Sequence, residues 1–148
     1  MLQDFIEANG LQAKILPFAV RKNLIQCWLF CAGDSFFLVI LFASDSISEQ
    51  KLRKAAGSDA IKPVENAIVD EITGYAARFL PPISIFGVKA LIDKKVLQAQ
   101  QVHCLVAEEK TLAISPKEIK DFNDDAAIVD ITQDVATQDV AYQKSCLR

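Results

Sequence analysis

No stretch of this sequence stays apolar for the roughly 18 to 20 residues that a membrane-spanning helix requires. The longest apolar run, Phe36–Ala43, ends after eight residues, the length of a buried strand. Its neighbour, Leu24–Ala32, is cut off from it by Gly33-Asp34-Ser35. The N-terminus, Met1-Leu2-Gln3-Asp4, lacks the basic segment and apolar core of a secretory signal. The expected location is therefore the cytoplasm, with no membrane partner.

Glycine and proline are scarce, five of each in 148 residues, too few for a linker-rich or low-complexity chain. Histidine is scarcer, with His103 alone. Four cysteines are present, Cys27, Cys31, Cys104 and Cys146, but without a secretory signal disulfides are not expected. Cys27 and Cys31 do not form a CxxC pair, and the adjacent His103 and Cys104 would face opposite sides of a strand. Buried thiols and a structural histidine are expected in place of a zinc site. The sequence holds no Walker loop, GxGxxG, HExxH or GxSxG motif, and no cofactor is expected.

Positive charge is also lacking. The net charge is −3, whereas proteins that grip phosphate backbones tightly are usually basic or carry a basic stripe. The carboxylates gather late in the chain, at Asp121, Asp124, Asp125, Asp130, Asp134 and Asp139, leaving residues 1–120 mildly basic. That distribution leaves room for a transient RNA contact by one face.

What the sequence does have is the core of one domain: 51% hydrophobic and 24% charged residues. Leu2–Ala8 reads as a helix stopped by Asn9-Gly10, and Leu11–Phe18 alternates as a strand does. Leu24–Ala32 and Phe36–Ala43 read as a β-hairpin whose continuous hydrophobicity predicts central strands covered on both faces. Ser48–Ala56 reads as a capped helix ended by Gly57. Ser58–Val64 reads as extended, Glu65–Ile72 as a second helix, and Phe79–Ser84 as a proline-bearing loop. Gly87–Asp93, Val102–Ala107 and Thr111–Ile114 are further strands. Ser115-Pro116-Lys117-Glu118 combines a capping serine, a first-turn proline and a glutamate three residues on, predicting a helix to about Phe122. The order predicts an α+β (mixed α/β) domain, with a mixed, mainly antiparallel central sheet flanked by helices. The expected division is one domain over residues 1–122, with 123–148 an acidic extension packed on or trailing it. In that extension Thr132-Gln133-Asp134-Val135-Ala136 is repeated at once as Thr137-Gln138-Asp139-Val140-Ala141; the alternatives for it are an extra amphipathic helix or strand, or a weakly ordered extension, and its polar bias gives it little to bury.

Four segments in order carry a resemblance. They are Lys51-Leu52-Arg53-Lys54-Ala55-Ala56-Gly57, Glu71-Ile72-Thr73-Gly74-Tyr75 followed by Pro81-Pro82, Leu91-Ile92-Asp93, and Leu112-Ala113-Ile114-Ser115-Pro116-Lys117-Glu118-Ile119. Together they resemble the editing domains of the YbaK and prolyl-tRNA synthetase insertion family. The resemblance implies hydrolysis of the ester joining a wrong amino acid to its tRNA. The partner would be an aminoacyl-tRNA met transiently through its acceptor end. It implies catalysis by backbone amides of a Gly-x-x-x-Pro loop, which act as an oxyanion hole, beside a lysine early in the hairpin.

At those positions this sequence differs. Gln26 stands where the lysine is expected, with Lys22 one alternative register away, roughly 13 Å along an extended strand. Arg78 stands at the loop glycine, while Pro82 keeps the loop's end. The candidate catalytic residues are thus Gln26, Lys22, Arg78 and Pro82. The candidate substrate-binding residues are Tyr75, Gly74, Phe79, Pro81 and Asp93. Two functional classes follow: a deacylase acting in trans with a divergent pocket, or a degenerate module that binds a small molecule, nucleotide or protein partner in a regulatory role. A homodimer through the hairpin edge or the tail stays open.

Overall fold

The structure, a computed structural model, describes residues 1–134. Two β-sheets form its frame. The larger contains β2 (Ile25–Ala32), β3 (Ser35–Phe42), β4 (Lys62–Pro63), β5 (Lys89–Asp93) and β8 (Ala127–Val129), in the order β4-β2-β3-β5-β8. The smaller contains β1 (Lys14–Leu16), β6 (Val102–Ala107) and β7 (Lys110–Ile114), in the order β1-β7-β6. A parallel bridge between Leu24 and His103 links the two. The β3–β5 and β5–β8 pairings are parallel and the other four antiparallel. This is the expected mixed, mainly antiparallel α+β architecture.

The hairpin forms where its hydrophobicity predicts, with Ala32 opposite Ser35 across the Gly33-Asp34 turn. Gly33 sits at φ +60, a conformation a residue without Cβ adopts at little cost. Both strands are covered on both faces, and Leu38, Val39 and Ile40 are fully buried. Side-chain alternation splits this interior in two. Cys27, Leu29, Leu38, Ile40 and Ile92 face one cluster, shared with α1 (Leu2–Ala8), α3 (Asn66–Thr73), α4 (Pro116–Asp121) and the smaller sheet. Phe30, Phe37, Val39, Leu41 and Leu91 face the other, closed by Leu52 of α2 (Glu49–Ala56) and by Ile131.

Helix boundaries follow the capping chemistry. The Ser48 side chain accepts a hydrogen bond from the Lys51 amide at 3.3 Å, and Ser115 from the Glu118 amide at 3.2 Å. Each satisfies a first-turn donor that has no partner inside its helix. The strand around Ser58–Val64 contracts to Lys62–Pro63, since proline supplies no N–H to a ladder.

Residues 127–132 take the strand alternative and are more buried than the sequence reading expects. The polar composition gave this stretch little to bury, yet β8 extends the central sheet, and Ile131 and Thr132 are buried. The second copy of the five-residue repeat, Cys146 and any tail-mediated dimer contact lie outside the described residues. Among the described residues no helix is long and apolar enough to cross a membrane.

Candidate functional site: a cleft at the open edge of the hairpin

The phase of the β2 hydrogen bonds determines which edge is available. The Ala43 amide donates to the Leu24 carbonyl at 2.8 Å, and the Val64 amide donates to the Leu29 carbonyl at 2.9 Å. Even-numbered residues of β2 therefore bond towards β3, and odd-numbered ones turn their backbone polar groups to the opposite edge. On that edge β4 pairs only with Phe30 and Cys31, and β6 meets the strand only at Leu24. Between these two contacts the edge opens into a cleft of about 60 Å³. Leu24, Ile25, Gln26 and Cys27 form one wall, Arg78 and Leu80 a second, and Cys104 and Leu105 of β6 the third. That volume holds a few water molecules.

Arg78 is the cationic side chain of this lining. It lies in the short 3₁₀ turn Ala77–Phe79, exposed, with its guanidinium 4.8 Å from the centre of the Phe79 ring. Its second partner is Glu108, in the β6–β7 turn, at 3.6 Å. Both side chains of that pair are more than half exposed, so it contributes at most about 1 kcal/mol and yields easily to a competing anion. The wall beyond is fixed: the Cys104 thiol donates to the Leu80 carbonyl at 3.4 Å.

Gln26 is half-buried, and among the described residues its side-chain amide makes no hydrogen bond. Alternation sends it to the Trp28 side of the sheet, opposite Cys27, so it meets the cleft at the rim. Lys22 lies outside the lining. Its carbonyl accepts from His103 Nδ1 at 2.6 Å, and because a carbonyl only accepts, that ring nitrogen carries a proton. The same clip includes the His103 amide bonded to the Asn23 carbonyl at 3.0 Å.

The other candidates hold the chain that leads into the cleft. Gly74, at φ +81, ends α3. The Tyr75 hydroxyl donates to Ser84 Oγ at 2.9 Å. Burial raises the Tyr75 phenol above its ordinary pKa, and the Ser84 bond only partly opposes this. Pro81 and Pro82 are buried, and the Pro82 carbonyl accepts from Asn123 Nδ2 at 2.7 Å. Asp93 is fully buried beyond the other side of the hairpin, its carboxylate accepting from the Lys95 and Ile131 amides at 3.1 Å each.

Of the residues expected from the sequence, Gln26 and Arg78 therefore share the cleft, with Phe79 stacked beside it. Leu80, Cys104, Leu105 and Glu108 complete the site, and sequence reasoning did not select them. Alternation along Val102–Ala107 shows that Cys104 and Leu105 face opposite sides, but no local pattern says which strand they approach. Among the described residues no three His, Cys, Asp or Glu side chains gather to hold a metal ion.

Comparison with known proteins adds four relationships. Residues 12–122 match the model of a family described as "Aminoacyl-tRNA editing domain". A proline–tRNA ligase of Lactococcus lactis subsp. lactis (strain IL1403) is 30% identical over 78 residues, 53% of this chain but only 13% of the ligase. Among solved structures, a "putative trans-editing enzyme for prolyl tRNA synthetase" superposes with a TM-score of 0.80 at 16% identity, covering 90% of this chain and 95% of that one. A "Putative signal transduction protein" from Marinobacter aquaeolei VT8 superposes at 0.72 and 18% identity, over 90% of this chain and 31% of that one. At these identities the structural likeness establishes the fold alone.

Proposed function

The chain belongs to the aminoacyl-tRNA editing domain family, and from that premise we propose that it hydrolyses mischarged tRNA in trans. Water adds to the ester carbonyl, the bond between the acyl carbon and the ribose oxygen breaks, and a free amino acid and an uncharged tRNA leave. The observation that carries this reading is the cleft, where the open edge of β2 faces the Arg78 turn. Aligned backbone dipoles beside a single cation suit the negative charge that develops on an ester carbonyl oxygen.

In this reading the first amides of the Ala77–Phe79 turn, which have no carbonyl partner inside so short a turn, receive the carbonyl oxygen. Arg78 leaves Glu108 and takes the developing charge or a nearby phosphate. Gln26 hydrogen-bonds the substrate at the rim, as a neutral replacement for a lysine. Leu24, Leu80 and Leu105 keep bulk water out of the cleft. Tyr75, Gly74, Pro81 and Pro82 hold the loop in place, and Asp93 supports the sheet behind it.

The test is a deacylation assay over a panel of mischarged tRNAs, using the full chain, Arg78→Ala and Gln26→Lys. Hydrolysis of at least one charged tRNA, reduced by Arg78→Ala, is expected. Complete inertness of both the parent and Gln26→Lys on every charged tRNA would remove the hydrolytic reading. One observation favours a second reading, a binding module without turnover: a cleft of about 60 Å³ is small for an aminoacyl ester. That reading predicts a melting temperature raised by a ligand and no hydrolysis.

A further inference from the structure

The C-terminal end of α2 borders a groove of about 440 Å³, within the ~300–1,000 Å³ range of small-ligand sites. Gln50, Arg53 and Lys54 line it from the helix, and Gly57, Ser58 and Asp59 from the turn that follows. Helical spacing brings the first three and Gly57 onto one face. Gly57, the C-cap at φ +70, gives the groove a floor without a side chain, and a Cβ there would meet nothing within 4 Å. The groove shares no lining residue with the cleft. α2 buries Leu52 in the cluster of Phe30 and Leu41, whereas Cys27, Leu80 and Cys104 of the cleft belong to the other cluster. The two sites are therefore separate.

Charge restricts what the groove takes. Arg53 is held by Glu49, one helical turn back. Lys54 and Asp59 are exposed and, among the described residues, make no ion pair and no side-chain hydrogen bond, not even with each other. An ammonium and a carboxylate thus border the same space, too far apart to satisfy one another. A plain anion would meet the Asp59 carboxylate and the negative end of the α2 dipole, and a plain cation would meet Lys54 and Arg53. A ligand carrying both charges avoids both penalties. Its carboxylate suits Lys54, and its ammonium suits Asp59 and the last carbonyls of the helix.

The remaining lining is polar. Ser58 Oγ accepts from the Ala60 amide at 3.1 Å and keeps its own O–H to donate. The Gln50 amide is exposed and makes no hydrogen bond among the described residues. No apolar side chain lines the groove, so a bulky hydrophobic group would gain little by entering it. We infer that this groove binds a free α-amino acid with a small or polar side chain, held as its zwitterion. A free amino acid is also what the proposed hydrolysis releases, but the inference does not rest on that reaction. Binding is read on the protein alone, without charged tRNA.

The experiment is an amide NMR titration of the full chain with alanine, serine and glutamine to tens of millimolar. Leucine, alaninamide, N-acetylalanine and diglycine serve as comparisons. Saturable shifts are expected at the backbone amides of Lys54, Gly57, Ser58 and Asp59. Lys54→Met and Asp59→Asn should each weaken binding by about tenfold, the worth of one charged hydrogen bond. Alaninamide and N-acetylalanine, each lacking one charge, should bind the parent about tenfold more weakly than alanine. Both altered side chains are exposed, so matching melting curves control for folding. Shifts confined to Ile25, Leu80 and Leu105 place the amino acid in the cleft as a product and overturn the second site. No saturable shift at the end of α2, or equal binding by the parent, Lys54→Met and Asp59→Asn, overturns the groove whatever the deacylation assay gives. Leucine binding as tightly as serine, or diglycine more tightly than alanine, overturns the ligand class.

Discussion

The buried carboxylate of Asp93, at the end of β5, accepts a hydrogen bond at 3.1 Å from the backbone amide of Ile131, 38 residues further along the chain. The same carboxylate accepts from the Lys95 amide. It thereby joins the turn after β5 to the stretch after β8. The Ile131 carbonyl in turn accepts from the Ser48 amide at 2.8 Å, reaching the start of α2. Asp93→Ala would leave the buried Ile131 amide without an acceptor, which costs about 1–3 kcal/mol, and the part-buried Lys95 amide at a smaller cost. A fall of several degrees or more in melting temperature is expected, and a change of under about 1 kcal/mol in chemical denaturation would refute this role.

The Arg78–Glu108 pair separates function from stability. Both side chains are exposed, so Glu108→Gln should change stability by less than about 1 kcal/mol. Arg78→Ala should be similarly mild in urea unfolding, yet lower deacylation kcat/KM by about tenfold or more, the worth of one charge-assisted hydrogen bond. A parallel loss of stability and activity would show Arg78 to be a structural residue.

Lys51 holds the segment after β8 by reaching Asp130 at 3.3 Å, Asp134 at 3.2 Å and the Thr132 carbonyl at 2.9 Å. Burial works to lower the Lys51 pKa, but hydrogen bonds and charge from Asp134 and Asp130 raise it above its ordinary value of 10.5. Burial works to raise Asp130, but Lys51, then Lys94, hold it below its ordinary value of 3.8. A depressed carboxylate stabilises the fold above its unfolded pKa and loses that contribution as pH falls through the folded one; a raised lysine contributes below its unfolded pKa and loses it as pH rises through the folded one. The penalty of Lys51→Met should therefore be full between about pH 4 and 10 and shrink outside that window. Solvent screening keeps it on the order of 1 kcal/mol or less. Urea unfolding of the parent and variant across pH checks this, and a pH-independent difference would refute it.

Tyr75→Phe removes the hydroxyl that donates to Ser84 and leaves a buried Ser84 with one partner fewer. A loss of about 0.5–1.5 kcal/mol is expected. The raised phenol pKa adds a sign: the parent should lose stability above pH 10, as the unfolded chain ionises first, and Tyr75→Phe should lose less over the same range. Thermal melts between pH 8 and 11 decide it.

Ser115→Ala tests the cap read from the sequence. Its side chain satisfies the Glu118 amide, and its loss should cost about 1 kcal/mol. Ser115→Asp should recover most of that, and failure to recover would show that the site depends on something other than capping.

Local chemistry made much of the fold legible. Capping serines, the Gly33 turn and the two apolar strands each act within a few residues, so the sequence shows them directly. Gln26 and Arg78 came into view through the family resemblance, which sets them at its lysine and loop-glycine positions, and both line the cleft. Cys104 and Leu105 did not, since their part in the cleft depends on β6 approaching β2 across some 80 residues of chain, as the Leu24–His103 bridge records. An extra strand was one of the alternatives for the residues beyond Asn123, but β8 could not be singled out for a related reason: three residues are too few for a hydrophobic period, and only the parallel pairing with β5 makes them a strand.

The sequence by itself determined the hairpin, the helix starts and the order of elements, because burial of apolar side chains and local hydrogen bonding are written into neighbouring residues. Tertiary structure alone decided which strand edge stays open, that Arg78 faces Glu108 over a cleft, and that Asp93 ties down the end of the sheet. Those outcomes depend on pairing between distant segments, whose register no single segment specifies.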